Sequence, residues 1–255
     1  MVSLLQAVLI DLGDTLVHLS RPWDDVFNTN IESLHTYLTK MGLKLDFNRF
    51  AETFIRIFDD ASSKADVYKI EIPMEDIISK ALRKSKLEIL GVDLIRNATM
   101  EFYRNEVEAW KLYPDARETL AALKDEGFRL GLISNAKSDW AVHAILERNE
   151  INGFFDDIVT SALLRIRKPR SEIFARVLSD LNVKAADAVF VGDNLDADVG
   201  GAKKIGMHSI HVIRKPVESV HAVIPEASVT SLSEAAAQIT EWKNSSYLSH
   251  VDSDT

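Results

Sequence analysis

The chain has 255 residues, 46% of them hydrophobic, enough to bury one large domain or a core with an inserted smaller one, which argues against global disorder. Its 30 Lys and Arg against 39 Asp and Glu give a formal charge of −9, so its overall field draws neither nucleic acid nor an anionic membrane, and an anionic ligand needs a local cluster of cations. No cysteine is present, which excludes disulfides, thiolate zinc sites and a cysteine nucleophile.

The first residues, Met1-Val2-Ser3-Leu4-Leu5, lack a basic stretch followed by a long apolar one, and no segment approaches a membrane span. The expectation is a cytoplasmic protein. Ala7–Ile10 is a short apolar run of the kind that forms a strand buried on both faces. From about 20 to 111 no strand-like run is seen. Phe27, Ile31, Leu34, Leu38 and Met41 keep one helical face, and Phe47, Phe50, Phe54 and Ile57 keep another. Ile77 and Ala81, then Leu94, Ala98 and Phe102, mark two more helices, with Gly42, Pro73 and Gly91 as punctuation. The phenylalanine stripe reads as core packing.

Tyr113-Pro114-Asp115 reopens an α/β pattern. Ala116, Leu120 and Leu123 share a helical face that Gly127 terminates. Strands follow at Leu130–Ile133, weakly at Asp157–Thr160, then at Ala188–Val191 and His208–Ile213. A helix carrying Ile173, Phe174, Val177, Leu178 and Leu181 lies between the second and third of these strands. Strands alternating with helices predict right-handed crossovers and a parallel sheet covered on both faces. The fold class is therefore α/β: a Rossmann-like core of residues 1–19 and 112–243 with an all-helical insert over 20–111. Residues 244–255 are polar and aperiodic and read as a flexible tail.

In such a sheet, ligands bind at the carboxyl ends of the strands. Those ends carry Asp11-Leu12-Gly13-Asp14-Thr15, Ser134-Asn135, and Gly192-Asp193 with Asp196 and Asp198 behind. The loop after the weak strand adds Arg165, Arg167, Lys168 and Arg170 around Pro169. Carboxylates, a hydroxyl, an amide and cations on one edge fit phosphoryl transfer. Paired carboxylates hold a divalent cation, usually Mg²⁺, and a carboxylate beside it can attack phosphorus. Hydroxyl, N–H groups and lysine hold the remaining oxygens, and such charge neutralisation is most of what the reaction needs.

Asp11-Leu12-Gly13-Asp14-Thr15-Leu16, Ser134-Asn135, Lys168-Pro169 and Gly192-Asp193 with Asp198 resemble, in order, the four motifs of the haloacid dehalogenase superfamily. The resemblance runs from residue 7 to about 213, and residues 20–111 resemble its helical cap. It implies a Mg²⁺-dependent hydrolase of a small phosphorylated metabolite. Asp11 would be nucleophile and metal ligand, with Asp193 the second carboxylate and the Gly13 carbonyl a third ligand. Ser134 and Asn135 would bind the phosphoryl group, and Lys168 would neutralise it together with Asp11. Asp198 would stand in the metal shell or orient Lys168. Ser134 also reads as an N-cap for the next helix.

One departure matters. Phosphatases of that family carry a second aspartate two residues after the nucleophile, as acid and base; here Gly13 stands there and Asp14 one step later. Asp14 either takes over through a backbone shift or caps the turn with its own side chain. The departure leaves three alternatives: a dehalogenase-like enzyme, a phosphonatase-like enzyme using a cap lysine (Lys40, Lys44 or Lys64), or a slow phosphate-binding member. The Gly192-Asp193 pair argues against the first. His18 reads as a flap residue, Arg21 and Trp23 as residues at the cap entrance. Asp196 reads as a solvated first-turn acid, and Gly200-Gly201 as a close helix contact.

Overall fold

The computed structural model describes residues 5–86, 91–214 and 223–251, with only the backbone given for 246–251. Expectations that fall on residues 1–4 and 252–255 lie outside the described residues. Six parallel strands form one sheet in the order β5-β4-β1-β6-β7-β8. They are β1 (Ala7–Ile10), β4 (Arg129–Ser134), β5 (Asp157–Thr160), β6 (Ala188–Gly192), β7 (His208–Val212) and β8 (Ala227–Val229). The chain leaves β1, builds outward through β4 and β5, then returns to the other side of β1 for β6. That reversal opens a crevice at the carboxyl ends of β1, β4 and β6, where open α/β sheets bind ligands.

Every residue of β1 and β6 is buried, which is why these strands read as unbroken apolar runs. Their alternation still sorts the core into two layers. Val8, Ile10, Val189 and Val191 pack with Leu120 and Leu123 of α5 (Ala116–Asp125), Val142 of α6 (Asp139–Arg148) and Ile239 of α10 (Leu232–Val251). Ala7, Leu9 and Phe190 face the other way, onto Phe174 and Val177 of α8 (Ser171–Asp180) and Ala202 of α9 (Gly200–Lys204). A Cβ on Gly201 would come within 2.4 Å of the Phe174 ring, so this glycine permits the close helix contact expected of it. Ser171–Asp180 follows α7 (Ser161–Leu164), a single turn.

Between β1 and β4 the chain enters and leaves a helical insert through a two-stranded antiparallel ribbon. In it β2 (Val17–Leu19) pairs with β3 (Trp110–Leu112), Val17 opposite Leu112. Neither strand is visible in the sequence pattern, because three residues are too few to show a period, and β3 begins inside the stretch expected to be wholly helical. The insert holds α1 (Trp23–Lys40), α2 (Phe47–Tyr68), α3 (Met74–Lys84) and α4 (Val92–Ala109). Phe54 and Phe102 are fully buried, and Phe27 packs on Phe54, Phe58 and Phe102 with ring centroids 4.7–6.5 Å apart. Phe47 lies 38% exposed, so the expected stripe is core from Phe50 onward.

The C-terminal stretch differs from expectation. Leu232, Ala235 and Ile239 are buried, and α10 continues as helix to Val251, through the first eight residues of the segment read as a tail. Among the described residues no helix is long and apolar enough to cross a membrane.

Candidate active site

The carboxyl ends of β1, β4 and β6 and the loop between α7 and α8 converge on one cavity of about 460 Å³ beneath the insert. Asp11, Gly13, Asp14, Ser134, Asn135, Lys168, Asp193 and Asp198 all line it. The geometry thus brings together every site residue expected from the sequence.

Lys168 is at the centre and is buried. Its ammonium donates to Asp11 Oδ1 at 2.5 Å and to the Ile133 carbonyl at 2.8 Å, and it pairs with Asp198 Oδ1 at 2.8 Å. The ammonium thus makes two hydrogen bonds and a second ion pair. Burial alone would lower its pKa, but Asp11 and Asp198 outweigh that and hold it above the usual lysine value. The loop is fixed from beside it. Asn135 Oδ1 accepts from Lys168 N at 2.9 Å, and Asn135 Nδ2 donates to the Lys168 carbonyl at 3.1 Å. Asn135 therefore has a structural role in addition to its expected backbone one.

Three carboxylates face this one ammonium. Oxygen atoms of Asp11, Asp193 and Asp198 lie within 4.8 Å of one another. Burial pushes Asp11 up to about 7, with Asp198 and Asp193 adding to the rise and Lys168 opposing it. Asp193 is pushed up to about 6 by burial, then by Asp198 and Asp14. A buried excess of negative charge of this kind, on hard oxygen donors, fits a divalent cation such as Mg²⁺.

Asp198 is held from its own loop. Leu195–Val199 forms a π-helical turn whose N-terminal Asn194 side chain accepts from Asp196 N and Ala197 N. That turn aims Asp198 back at the strand, where Asn194 N donates to its Oδ2 at 3.0 Å. A Cβ on residue 192 would meet that oxygen at 2.3 Å, so the glycine before Asp193 makes room for the carboxylate. Thr15 Oγ1 donates to Asp193 Oδ1 at 3.3 Å, and His211 Nε2 contacts the Asp193 carbonyl at 3.0 Å. Asp196 is exposed.

Ser134 is 6% exposed and its hydroxyl makes no hydrogen bond among the described residues. The N-cap reading fails for it, because α6 is capped by Ser138, whose Oγ accepts from Ala141 N at 3.2 Å. The Ser134 hydroxyl is thereby left for a ligand.

Asp14 sits in the left-handed region with φ 54°, and its N–H donates to the Val17 carbonyl at 2.7 Å. Its charge is felt at Asp193. Above Gly13 stands Trp110, its ring 3.5 Å from where a Cβ on residue 13 would be. Trp110 Nε1 donates to Glu106 Oε1 at 3.4 Å, and Asn30 Nδ2 donates to Glu106 Oε2 at 3.1 Å. Burial pushes Glu106 up to about 7.

Of the remaining candidates, Trp23 lines the cavity, while His18 and Arg21 line an adjoining pocket, where His18 packs on Tyr113 at 4.9 Å. Lys40, Lys44 and Lys64 do not line the cavity, and Lys64 pairs with Asp60 at the surface. The lysines that do line it, among the described residues, are Lys137 and Lys168.

Sequence reasoning missed a second ion cluster on the cavity wall. Glu71, from the loop between α2 and α3, is buried and accepts from Lys137 Nζ at 3.1 Å, Arg167 Nη1 at 2.8 Å and Ser161 Oγ at 2.8 Å. An Ile70–Ile166 bridge and a hydrogen bond from Glu71 N to the Arg165 carbonyl, 3.1 Å, bind the same loop to the core. The available signal was one acid between two isoleucines, Ile70-Glu71-Ile72.

Comparison with known proteins gives a consistent picture. A family model described as haloacid dehalogenase-like hydrolase matches residues 5–206. A glyceraldehyde 3-phosphate phosphatase of Methanocaldococcus jannaschii is 27% identical over 213 residues, 83% of this chain and 86% of that protein. The crystal structure of a 2-haloacid dehalogenase from Pseudomonas syringae aligns with a TM-score of 0.67 at 21% identity, covering 93% of this chain and 99% of the other. A HAD phosphatase from Thermococcus onnurineus aligns at 0.62 and 20% identity, covering 92% and 98%. At these identities the two structures speak for the fold alone.

Proposed function

The chain belongs to the haloacid dehalogenase-like hydrolases, and we propose that it is a magnesium-dependent phosphomonoesterase of small metabolites working through Asp11. One observation carries this reading: Lys168 ties Asp11 and Asp198 together while Asp193 completes a cluster of three carboxylates. The relatives named glyceraldehyde 3-phosphate phosphatase support a small phosphorylated substrate. The Asp193 carboxylate, which completes that cluster, favours a metal-dependent reaction over carbon–halogen hydrolysis, which needs no metal.

In this reading Asp11 and Asp193, with the Gly13 carbonyl, would hold Mg²⁺, which would supply positive charge to offset the carboxylates and the phosphoryl group. Asp11 Oδ attacks phosphorus, the ester oxygen leaves with its electron pair, and an aspartyl phosphate remains for water to hydrolyse. Lys168 neutralises charge at Asp11 and on the transferred group. Ser134 Oγ donates to one phosphoryl oxygen, and the Asn135 backbone N–H to another. Asp198 keeps Lys168 in place. Gly13 supplies no proton, so leaving groups that need little protonation, such as aryl or acyl phosphates, suffer least.

The test is release of inorganic phosphate from a panel of phosphomonoesters with and without Mg²⁺, by wild type and Asp11→Asn. Release that needs the metal and is lost in the variant supports the reading; release unchanged in Asp11→Asn overturns it. Gly13 favours a second reading, a phosphate-binding member with slow turnover, for which the same panel gives tight phosphate binding and negligible release.

A further inference from the structure

We propose that Lys137 and Arg167 form an anion subsite beside the phosphoryl site, so that the substrate carries a second anionic group, a carboxylate or a phosphate, besides the one it loses. This rests on the phosphatase reading above and narrows it to a substrate class.

The two cations stand on the loops that carry the phosphoryl machinery. Lys137 follows Ser134 by three residues, and Arg167 precedes Lys168. Both line the main cavity, with side chains 11% and 19% exposed. Neither has a role in the chemistry at Asp11. Lysine offers three donors and arginine five. Among the described residues, the side chains of Lys137 and Arg167 each make one hydrogen bond, both to Glu71. Lys137 Nζ also lies 5.5 Å from the Phe58 ring centroid, and the remaining N–H groups of the two side chains are open to the cavity, where an anion can accept from them.

Charge leads to the same class. Glu71 is one carboxylate between two cations. It also accepts from Ser161 Oγ at 2.8 Å and Ile72 N at 3.2 Å, so its lone pairs are filled and it is fixed in place. Among the buried groups of this wall, one positive charge is left over. Asp66, which also lines the cavity, is 3.6 Å from Arg167 Nη2, but its side chain is 71% exposed, where water and salt screen the pair. On a chain of formal charge −9, a preset pair of cations on a cavity wall is the local cluster an anionic ligand requires. Because Glu71 orders both side chains beforehand, the ligand does not bear that entropy cost.

The experiment compares three substrates of one chain length: propyl phosphate, 3-phosphooxypropanoate and propane-1,3-diol bisphosphate. Wild type should favour the two esters that carry a second anionic group over propyl phosphate by about tenfold or more in kcat/KM. Which of them leads distinguishes a carboxylate from a phosphate at the subsite. Lys137→Gln and Arg167→Gln should each bring the ratio towards one. A ratio near one in wild type, or a ratio the variants leave intact, overturns the proposal. If Glu71, left facing one cation, impairs folding, the paired variant Glu71→Gln with Lys137→Gln removes both charges together. If no ester is turned over, the phosphatase reading fails by itself. Calorimetric binding of the same three compounds to Asp11→Asn then decides the subsite: equal affinities overturn it, and a preference lost with Lys137→Gln supports it.

Discussion

The floor and the wall of the cavity are both buried ion clusters, and they are built from opposite balances. On the floor, Asp11, Asp193 and Asp198 face a single ammonium, Lys168. On the wall, Lys137 and Arg167 share one buried carboxylate, Glu71, with the exposed Asp66 3.6 Å from Arg167. Burying charge is costly in either case, and each cluster reduces that cost with hydrogen bonds. What remains differs in sign. In the proposed reading the floor, with its excess of carboxylates, takes a cation, and the wall, with its two cations, takes an anion. A metal and a substrate with two anionic ends are what this pair of surpluses would neutralise together.

The largest effect should come from the floor. Asp11→Asn keeps the volume and removes the nucleophile, and should lower turnover by about a thousandfold or more. Glu71→Gln, on the wall, should change preference among substrates far more than it changes turnover. Steady-state kinetics of the two variants with matched substrates check this. Similar losses from both would erase the distinction between floor and wall.

Next comes the response to metal. Without a cation, Asp11 is held at about 7 and Asp193 at about 6, both above the ~4 of an unfolded aspartate. Protons on them favour the folded state below about pH 4. That contribution is lost as pH rises through 6 and 7. The metal-free protein should therefore lose stability across this window. Mg²⁺ at a hundredfold over its Kd should restore about 3 kcal/mol at neutral pH, by taking the place of the protons. Thermal melts against pH, with chelator and with Mg²⁺, check it. Parallel curves would mean that the floor does not take the cation.

The two clusters also differ in how far the sequence exposes them. Asp11, Ser134 and Asp193 each end or directly follow an apolar run, so a parallel sheet alone predicts that they meet. Lys168 needed the motif order, because four basic residues crowd that loop. Glu71 reaches partners 66, 90 and 96 positions away, and no local period records such contacts. The β2–β3 ribbon was hidden for the same reason, its partners being separated by the whole insert. The helical continuation of α10 was masked by polar residues, though Leu232, Ala235 and Ile239 carried its spacing. Ser134 shows the opposite error, where a local rule offered a cap that Ser138 provides.

A smaller effect belongs to Glu106, which lines the same cavity without belonging to either cluster. Its pKa, pushed by burial to about 7, exceeds the unfolded value, so its contribution is present below about pH 4.5 and lost as pH rises through 7. Asn30 Oδ1 beside it is buried without a partner. Glu106→Gln can meet that oxygen with an N–H once the Asn30 amide rotates. The variant should gain on wild type as pH rises from 5 to 8, by up to about 3 kcal/mol. Denaturant melts at both pH values check it, and a constant difference would show that Glu106 is ionised throughout.

The smallest expected change is at Asp14, and it separates two accounts of Gly13. An aspartate two residues after the nucleophile would stand under Trp110. Asp14 instead lies in a left-handed turn tied to Val17. It lies close enough to the floor's carboxylates for its charge to act on Asp193. Asp14→Asn should lower turnover by less than about tenfold, evenly across alkyl and aryl phosphates. An acid acting on the leaving oxygen contributes about 10²–10⁴-fold, and that loss falls on alkyl esters while sparing aryl ones. A steep, alkyl-selective loss would therefore assign the proton to Asp14. An even, shallow loss leaves the leaving group unprotonated, and then Gly13→Asp, whose Cβ has ordinary contact distance to Trp110, should raise the rate for alkyl esters first.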